Sequence, residues 1–312
     1  MSLPMDGSNE AALDLSGYAI AIVGGDRREQ EIARCAARSK ALVKAYGFPW
    51  PDGGIAGVEH VSSAAAALDR AHFGLFPIPA SASDGSLFAP AVPEKIIPEE
   101  ALLRHMATGA HIFLGIARPE LKAAAGRLGI TLHEYEYDVA LMYLRGPAIV
   151  EGTLKAIIEN TDITIHRAQI CVVGQGTIGA LLTRTLVLLG AFVHVAARNP
   201  VQRAAAQAIG ATALPLERLP ELMPRLDILI SSVPVQIVGA QWLAKLPAHA
   251  LVVDVAAPPG GIDLAAAKAR GLRQVWARGL GSRAPVTVGA SQWSGIAERI
   301  ASIITTGKAP KR

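Results

Sequence analysis

Gln169-Ile170-Cys171-Val172-Val173-Gly174-Gln175-Gly176-Thr177-Ile178-Gly179 decides how the rest of this chain is read. The apolar run over Gln169–Val173 predicts a buried strand, and residues 177–189 then read as a helix. Between them stands G-x-G-x-x-G, and residues 192–197 follow at once as a second strand. Three glycines alone are a weak signal. With a strand before, a helix after and a strand again, they make a complete dinucleotide-binding unit. Gly174 allows the tight turn, Gly176 lets the backbone approach a pyrophosphate, and Gly179 lets helix and strand pack closely. Thr177 and Ile178 open a helix whose N-terminal amides and dipole face the phosphates.

The second strand ends in Ala196-Ala197-Arg198-Asn199-Pro200. An NAD site usually has Asp or Glu there, to bond the ribose 2′-hydroxyl, and this chain has neither. Arg198, with Asn199 beside it, offers a planar fork matched to a 2′-phosphate, so NADP is preferred over NAD. Later strand ends line the same crevice. Ser231-Ser232-Val233-Pro234 and Asp254-Val255-Ala256 bring Ser232, Val233, Pro234 and Ala256 toward the ribose and nicotinamide. Asp254 stands open between a nicotinamide contact and a cap for nearby backbone.

Working outward, the second half alternates strand and helix six times, with strands at 169–173, 192–197, 211–214, 227–233, 251–255 and 273–277. A long helix follows from Pro285, with Trp293, Ile296, Ile300 and Ile303 at spacings of three and four. The first half shows strands at 18–23, 73–78, 111–115 and 131–135, with helices at 28–44, 99–106 and 120–128. Residues 77–98, rich in Pro, Ser and Gly, read as a loop after a strand. Such alternation predicts an α/β protein: two doubly wound Rossmann-like parallel-sheet domains with an inter-domain cleft. The expected division is 1–147 for a substrate-side domain, 148–162 for a connecting helix opened by Pro147, and 163–312 for the NAD(P)-binding domain with its C-terminal helix.

Composition agrees. The 312 residues are 51% hydrophobic and only 18% charged, which suits strands buried on both faces and excludes a disordered chain or a coiled coil. The net charge of +4 comes without a Lys/Arg run, so no nucleic-acid role is read. No apolar stretch is long enough for a bilayer, and residues 1–16 lack the pattern of a signal peptide; a cytoplasmic protein is expected. Cys35 and Cys171 read as reduced core thiols, and no Cys/His cluster has metal spacing.

Several further segments carry a resemblance. They are Val23-Gly24-Gly25-Asp26-Arg27, Val150-Glu151-Gly152-Thr153, Asn160-Thr161-Asp162-Ile163-Thr164-Ile165-His166, Ala197-Arg198 and Pro258-Pro259-Gly260-Gly261-Ile262-Asp263. In this order and spacing, from about Leu15 to Ile304, the chain resembles the dipicolinate synthase A-subunit family. The resemblance implies a formate/glycerate-dehydrogenase-like architecture and oxidation of dihydrodipicolinate to dipicolinate with NAD(P)+ in sporulating bacteria. It also implies that a flavoprotein-like B-subunit is the partner, and a homo-oligomer is expected. The chain departs from the family pattern at Val286, where the family has lysine, at Arg278-Gly279-Leu280-Gly281-Ser282, and around Leu144-Arg145-Gly146-Pro147.

Such a reaction needs its two substrate carboxylates held and a proton removed. Arg27, beside two glycines and a helix start, is the first candidate for a carboxylate; Arg28, Arg118, Arg145 and Arg283 are others. Asp26 is the first candidate base and Glu151 the second, while His133 and His166 are weaker ones. Two other readings stay open. A D-2-hydroxyacid dehydrogenase would carry a catalytic His after the sixth strand, and the last histidine here is His249, before the fifth. A non-catalytic NADP-binding regulatory paralogue is the other.

Overall fold

A computed structural model describes residues 13–78 and 81–310. The expectation that residues 1–16 lack a signal peptide therefore falls largely outside the described residues. In chain order the strands and helices are β1 (Ala19–Val23), α1 (Arg27–Arg38), β2 (Leu42–Tyr46), β3 (Val58–His60), α2 (Ala64–Leu68), β4 (Phe73–Leu75) and α3 (Glu100–Leu103). Then come β5 (His111–Leu114), α4 (Pro119–Arg127), β6 (Thr131–Glu134), α5 (Val139–Glu159), β7 (Gln169–Val173), α6 (Thr177–Leu188), β8 (Phe192–Ala196), α7 (Pro200–Ala208) and β9 (Thr212–Leu214). The series ends with α8 (Leu219–Leu222), β10 (Ile228–Ser231), α9 (Ala240–Leu243), β11 (Leu251–Asp254), α10 (Leu264–Ala269), β12 (Arg273–Trp276) and α11 (Pro285–Thr305).

The chain divides into two compact units, residues 1–141 with 284–312, and residues 142–283. Each holds one six-stranded parallel sheet, in the orders β3-β2-β1-β4-β5-β6 and β9-β8-β7-β10-β11-β12. Read by position within each unit, both orders are 3-2-1-4-5-6, so each sheet reverses direction between its first and fourth strands.

Alternate residues of each first strand enter different cores. Ile20 and Ile22 join Ile32, Val43, Phe73, Ile296 and Ile300, whereas Ala21 and Val23 join Leu68, Leu103, Ile112 and Leu121. In the second unit Ile170 and Val172 meet Leu182, Leu186 and Ile230, while Cys171 and Val173 meet Leu219, Leu229 and Val252. Burial on both faces leaves no polar side to a central strand, as parallel sheets require.

Three expectations need correction. Helix α1 stops at Arg38 instead of running to residue 44, because Lys40 takes a left-handed φ of 64° and the chain re-enters the sheet as β2. Helix α5 starts at Val139 and carries Pro147 inside it, so Pro147 does not open a separate connector; the unit boundary falls within this helix. The C-terminal helix α11 belongs to the first unit: at Gly289 a Cβ would lie 2.5 Å from the Arg28 carbonyl, so its backbone lies directly on α1.

Candidate functional site

The turn after β7 is built by its glycines. Gly174 has φ +89°, and a Cβ there would meet Val233 Cγ2 at 2.5 Å. A Cβ at Gly179 would fall 2.2 Å from the Gly174 carbonyl oxygen, so α6 packs directly on the strand end. At Gly176 a Cβ would meet nothing within 4 Å. Gly176 is also the N-cap of α6, and no side chain accepts from the helix start. No side chain therefore occupies the amides of the first turn, and the space beside Gly176 is open, as an anion requires. Gln175 turns the other way and is buried, accepting from Thr183 Oγ1 at 2.9 Å.

The neighbouring strand end completes the crevice. Ser231 at the end of β10 pairs with Val173 in register, which brings Ser232 and Val233 against the glycine turn. Ser232 Oγ donates to the Val173 and Gly174 carbonyls at 3.3 and 3.4 Å. Gly174, Gly176, Thr177, Ile178, Gly179, Ser232 and Val233 are therefore gathered at the switch point, and Pro234 lies exposed just beyond. At the end of β8, Arg198 and Asn199 are both exposed. Asn199 Oδ1 accepts from the amides of Val201 and Gln202, capping α7. Arg203 was missed in the sequence. Its Nη1 donates to the Ala197 and Arg198 carbonyls at 2.8 and 2.6 Å, fixing the backbone under Arg198. The signal was there: an arginine within the first two turns of a helix reaches back to the strand end that precedes it.

Asp254 takes the second of its two readings. It is fully buried, and its oxygens accept from the amides of Ala256 (2.9 Å), Gly261 (2.7 Å) and Ile262 (2.9 Å). Burial raises its pKa against the opposing pull of those amides. It organises the turn that carries Ala256, and its side chain has no room for a cofactor.

The corresponding turn after β1 is closed. The Gly24 amide donates to the Tyr46 carbonyl and the Gly25 amide to the Phe88 carbonyl. The Asp26 amide donates to Glu29 Oε2 at 2.7 Å, while Asp26 Oδ1 accepts from the Arg28 amide at 3.0 Å. Asp26 also holds Arg28 bidentately, Oδ1 to Nε at 2.9 Å and Oδ2 to Nη2 at 3.0 Å. Glu29 is buried beneath Gly25, and its pKa is pushed up to about 7, chiefly by desolvation. The D-x-x-E spacing of Asp26 and Glu29 is a capping-box signature that marks this in the sequence. Asp26 is thus a helix cap and ion-pair partner, and acting as a base would require breaking both contacts. The turn does not offer the amides expected for a carboxylate, although Arg27 itself is exposed.

Glu151, the other candidate base, pairs with Arg283 within the second unit. His133 contacts His111 at 2.9 Å and stacks on Phe113, and burial lowers its pKa to about 4. His249 pairs with Asp227 at 3.1 Å, just before β10 and β11, at the amino edge of the sheet. Cys35 and Cys171 are buried and free. Among the described residues no cluster of three His, Cys, Asp or Glu is arranged to hold a metal, and no helix is long and apolar enough to cross a membrane.

An open phosphate turn at the switch point of a 3-2-1-4-5-6 parallel sheet defines a nicotinamide-dinucleotide-binding, dehydrogenase-like protein. The family described as Shikimate / quinate 5-dehydrogenase matches residues 156–273, over this unit, and the N-terminal domain of the dipicolinate synthase A-subunit matches residues 19–136. The dipicolinate synthase A-subunit of Bacillus subtilis (strain 168) is 30% identical over 277 residues, 88% of this chain and 93% of that one. The chain belongs to the dipicolinate synthase A-subunit family. Two crystal structures agree: the A-subunit from Bacillus halodurans has a TM-score of 0.86 at 28% identity, covering 92% of this chain and 99% of its own. The corresponding dipicolinate synthase structure from Bacillus subtilis has a TM-score of 0.84 at 27% identity, covering 94% and 99%.

Proposed function

We propose that the chain is an NADP-dependent dehydrogenase subunit that oxidises dihydrodipicolinate to dipicolinate in sporulation, alongside a flavoprotein-like B-subunit. The observation that carries this reading is the open, uncapped start of α6 in a chain of this family. NADP held at this turn would supply the acceptor for a hydride from the substrate's ring carbon, and the proton lost with it would pass to water. The chain's own residues bind and orient. Thr177 and Ile178 present amides to the pyrophosphate, and Gly176 leaves it room. Arg198, with the backbone beneath it braced by Arg203, selects the 2′-phosphate. Arg27, exposed at the start of α1, receives a substrate carboxylate. The product gains aromatic stabilisation, so no strong base is required of the protein, in keeping with the engagement of Asp26 and Glu151 in ion pairs.

The hydroxyacid-dehydrogenase reading is disfavoured by His249, which stands at the amino edge of the sheet, whereas ligands bind at the carboxyl edge. One observation favours the regulatory reading: Val286, in place of the family's lysine, is 59% exposed at the start of α11 and offers no charge. The test mixes purified protein, with and without the B-subunit, with dihydrodipicolinate and NADP+, and follows reduced cofactor by absorbance. Turnover supports the dehydrogenase. Bound cofactor without turnover in either condition supports the regulatory reading.

A further inference from the structure

The turn ordered by Asp254 supports more than its own backbone. Gly260, at φ +84°, lies so close that a Cβ would sit 2.8 Å from Asp254 Oδ2 and 3.6 Å from the ring of Trp276. Trp276, the last residue of β12, reaches across to this turn and donates from Nε1 to the Ala256 carbonyl at 3.1 Å. Two residues further on, the Arg278 amide donates to the Trp276 carbonyl at 2.9 Å, and the Arg278 guanidinium carbon lies 5.0 Å from the centre of the indole ring. A buried carboxylate, a glycine turn, an anchored indole and a cation thus form one continuous stack at the carboxyl edge of the second sheet.

The arginine at the top of this stack is unlike others considered for the substrate. Arg28 is held by Asp26, Arg283 by Glu151, and Arg118 lies 3.3 Å from Glu120. Among the described residues no carboxylate pairs with Arg278, whose neighbour is an aromatic ring. A ring holds a guanidinium in place without consuming the fork of N–H donors that a carboxylate accepts. The position also matters. In a doubly wound sheet one nucleotide half lies on each side of the switch point. Arg198 stands on the β7–β9 side and Arg278 on the β10–β12 side. If the first serves the phosphorylated adenosine, the second faces the reacting end.

We infer that Arg278, pre-ordered on Trp276, is a specificity-determining residue that binds a carboxylate of the substrate. This rests on the dehydrogenase reading above.

The test uses dipicolinate, pyridine-2,6-dicarboxylate, titrated into the NADPH-loaded full chain by calorimetry, with tryptophan emission followed in parallel. The wild type binds it. Arg278→Ala weakens binding at least ten-fold, Arg278→Lys restores part of the loss, and NADPH affinity is the same in all three. Dipicolinate changes the emission of the wild type and much less that of Trp276→Phe. Equal dipicolinate affinity in wild type and Arg278→Ala overturns the inference and leaves the dehydrogenase reading standing. A parallel loss of NADPH affinity also overturns it, by making Arg278 a support of the cofactor turn. A wild type that binds NADPH but no dipicolinate overturns the substrate reading and this inference with it.

Discussion

After β1 the chain turns through Gly24-Gly25-Asp26 into α1, and after β7 it turns through Gly174-Gln175-Gly176 into α6. The strand order around the two turns is the same, and both begin with a glycine at positive φ. Their helix starts differ in what they already hold. At α1 the position for an anion is filled from within, by the carboxylates of Asp26 and Glu29 with Arg28 as counter-charge. At α6 no side chain fills it. Topology sets where a phosphate would lie, and the side chains at the cap decide whether one is accepted. This chain carries one filled cap and one open one.

The largest effect expected from this difference is at Asp26. Asp26→Ala removes the cap and strips the buried Arg28 of its partner, a loss of about 3–5 kcal/mol in unfolding free energy. Denaturant titration should show it, with NADPH affinity unchanged because the nucleotide turn lies in the other unit. A small stability loss would break the comparison. The converse substitution is Gly176→Val. It should weaken NADPH at least a hundred-fold by calorimetry, roughly 2.8 kcal/mol. The unfolding midpoint should not move, since a Cβ there meets no protein atom within 4 Å.

Third is a pH dependence confined to the closed turn. Glu29 binds its proton more tightly folded than unfolded, its pKa standing at about 7 against 4.5. Stability from this group is complete below the unfolded value and is lost as pH rises through about 7, on the order of 3 kcal/mol. Glu29→Gln should flatten unfolding midpoints between pH 5 and 8. An unchanged slope would show that another group titrates there. The smallest effect is at Arg198. Arg198→Ala should cost about ten-fold in NADPH affinity, roughly 1.4 kcal/mol, and leave NADH alone. Equal losses would make it a stacking residue.

Much of the second unit is legible because local signals agree with one another. Gly174, Gly179, Pro200 and the apolar strands punctuate it so clearly that most strand ends fall within a residue or two of expectation. In the first unit the punctuation is weaker. Lys40 adopts the left-handed cap conformation without being glycine, and Val43 happens to continue the helical stripe, so β2 looks like more helix. β3 is three residues long and largely exposed, with no apolar run to mark it. Pro147 suggests a break, yet α5 continues through it. At the candidate site the glycine turn and Arg198 are readable as a pattern. The engagement of Asp26, Glu151 and Asp254 is not, because a carboxylate's partner is a matter of three-dimensional neighbours. Glu151 meets Arg283 across 132 positions of sequence.

The docking of α11 on α1 also sets an order of events during translation. Residues 142–283 are one uninterrupted piece of chain, whereas the first sheet's unit needs Pro285–Thr305 to be complete. As the polypeptide leaves the ribosome, β1 through β6 emerge first, but Ile32 and Val43 lack the covering side chains of Ile296, Ile300 and Ile303 until the whole second unit has been made. The nucleotide-binding unit, made later, has its whole sequence available earlier. The order in which complete sequences become available thus runs against the usual rule that the N-terminal domain matures first. A nascent chain stalled before residue 285 would carry a complete dinucleotide fold and a first sheet with one greasy face still bare.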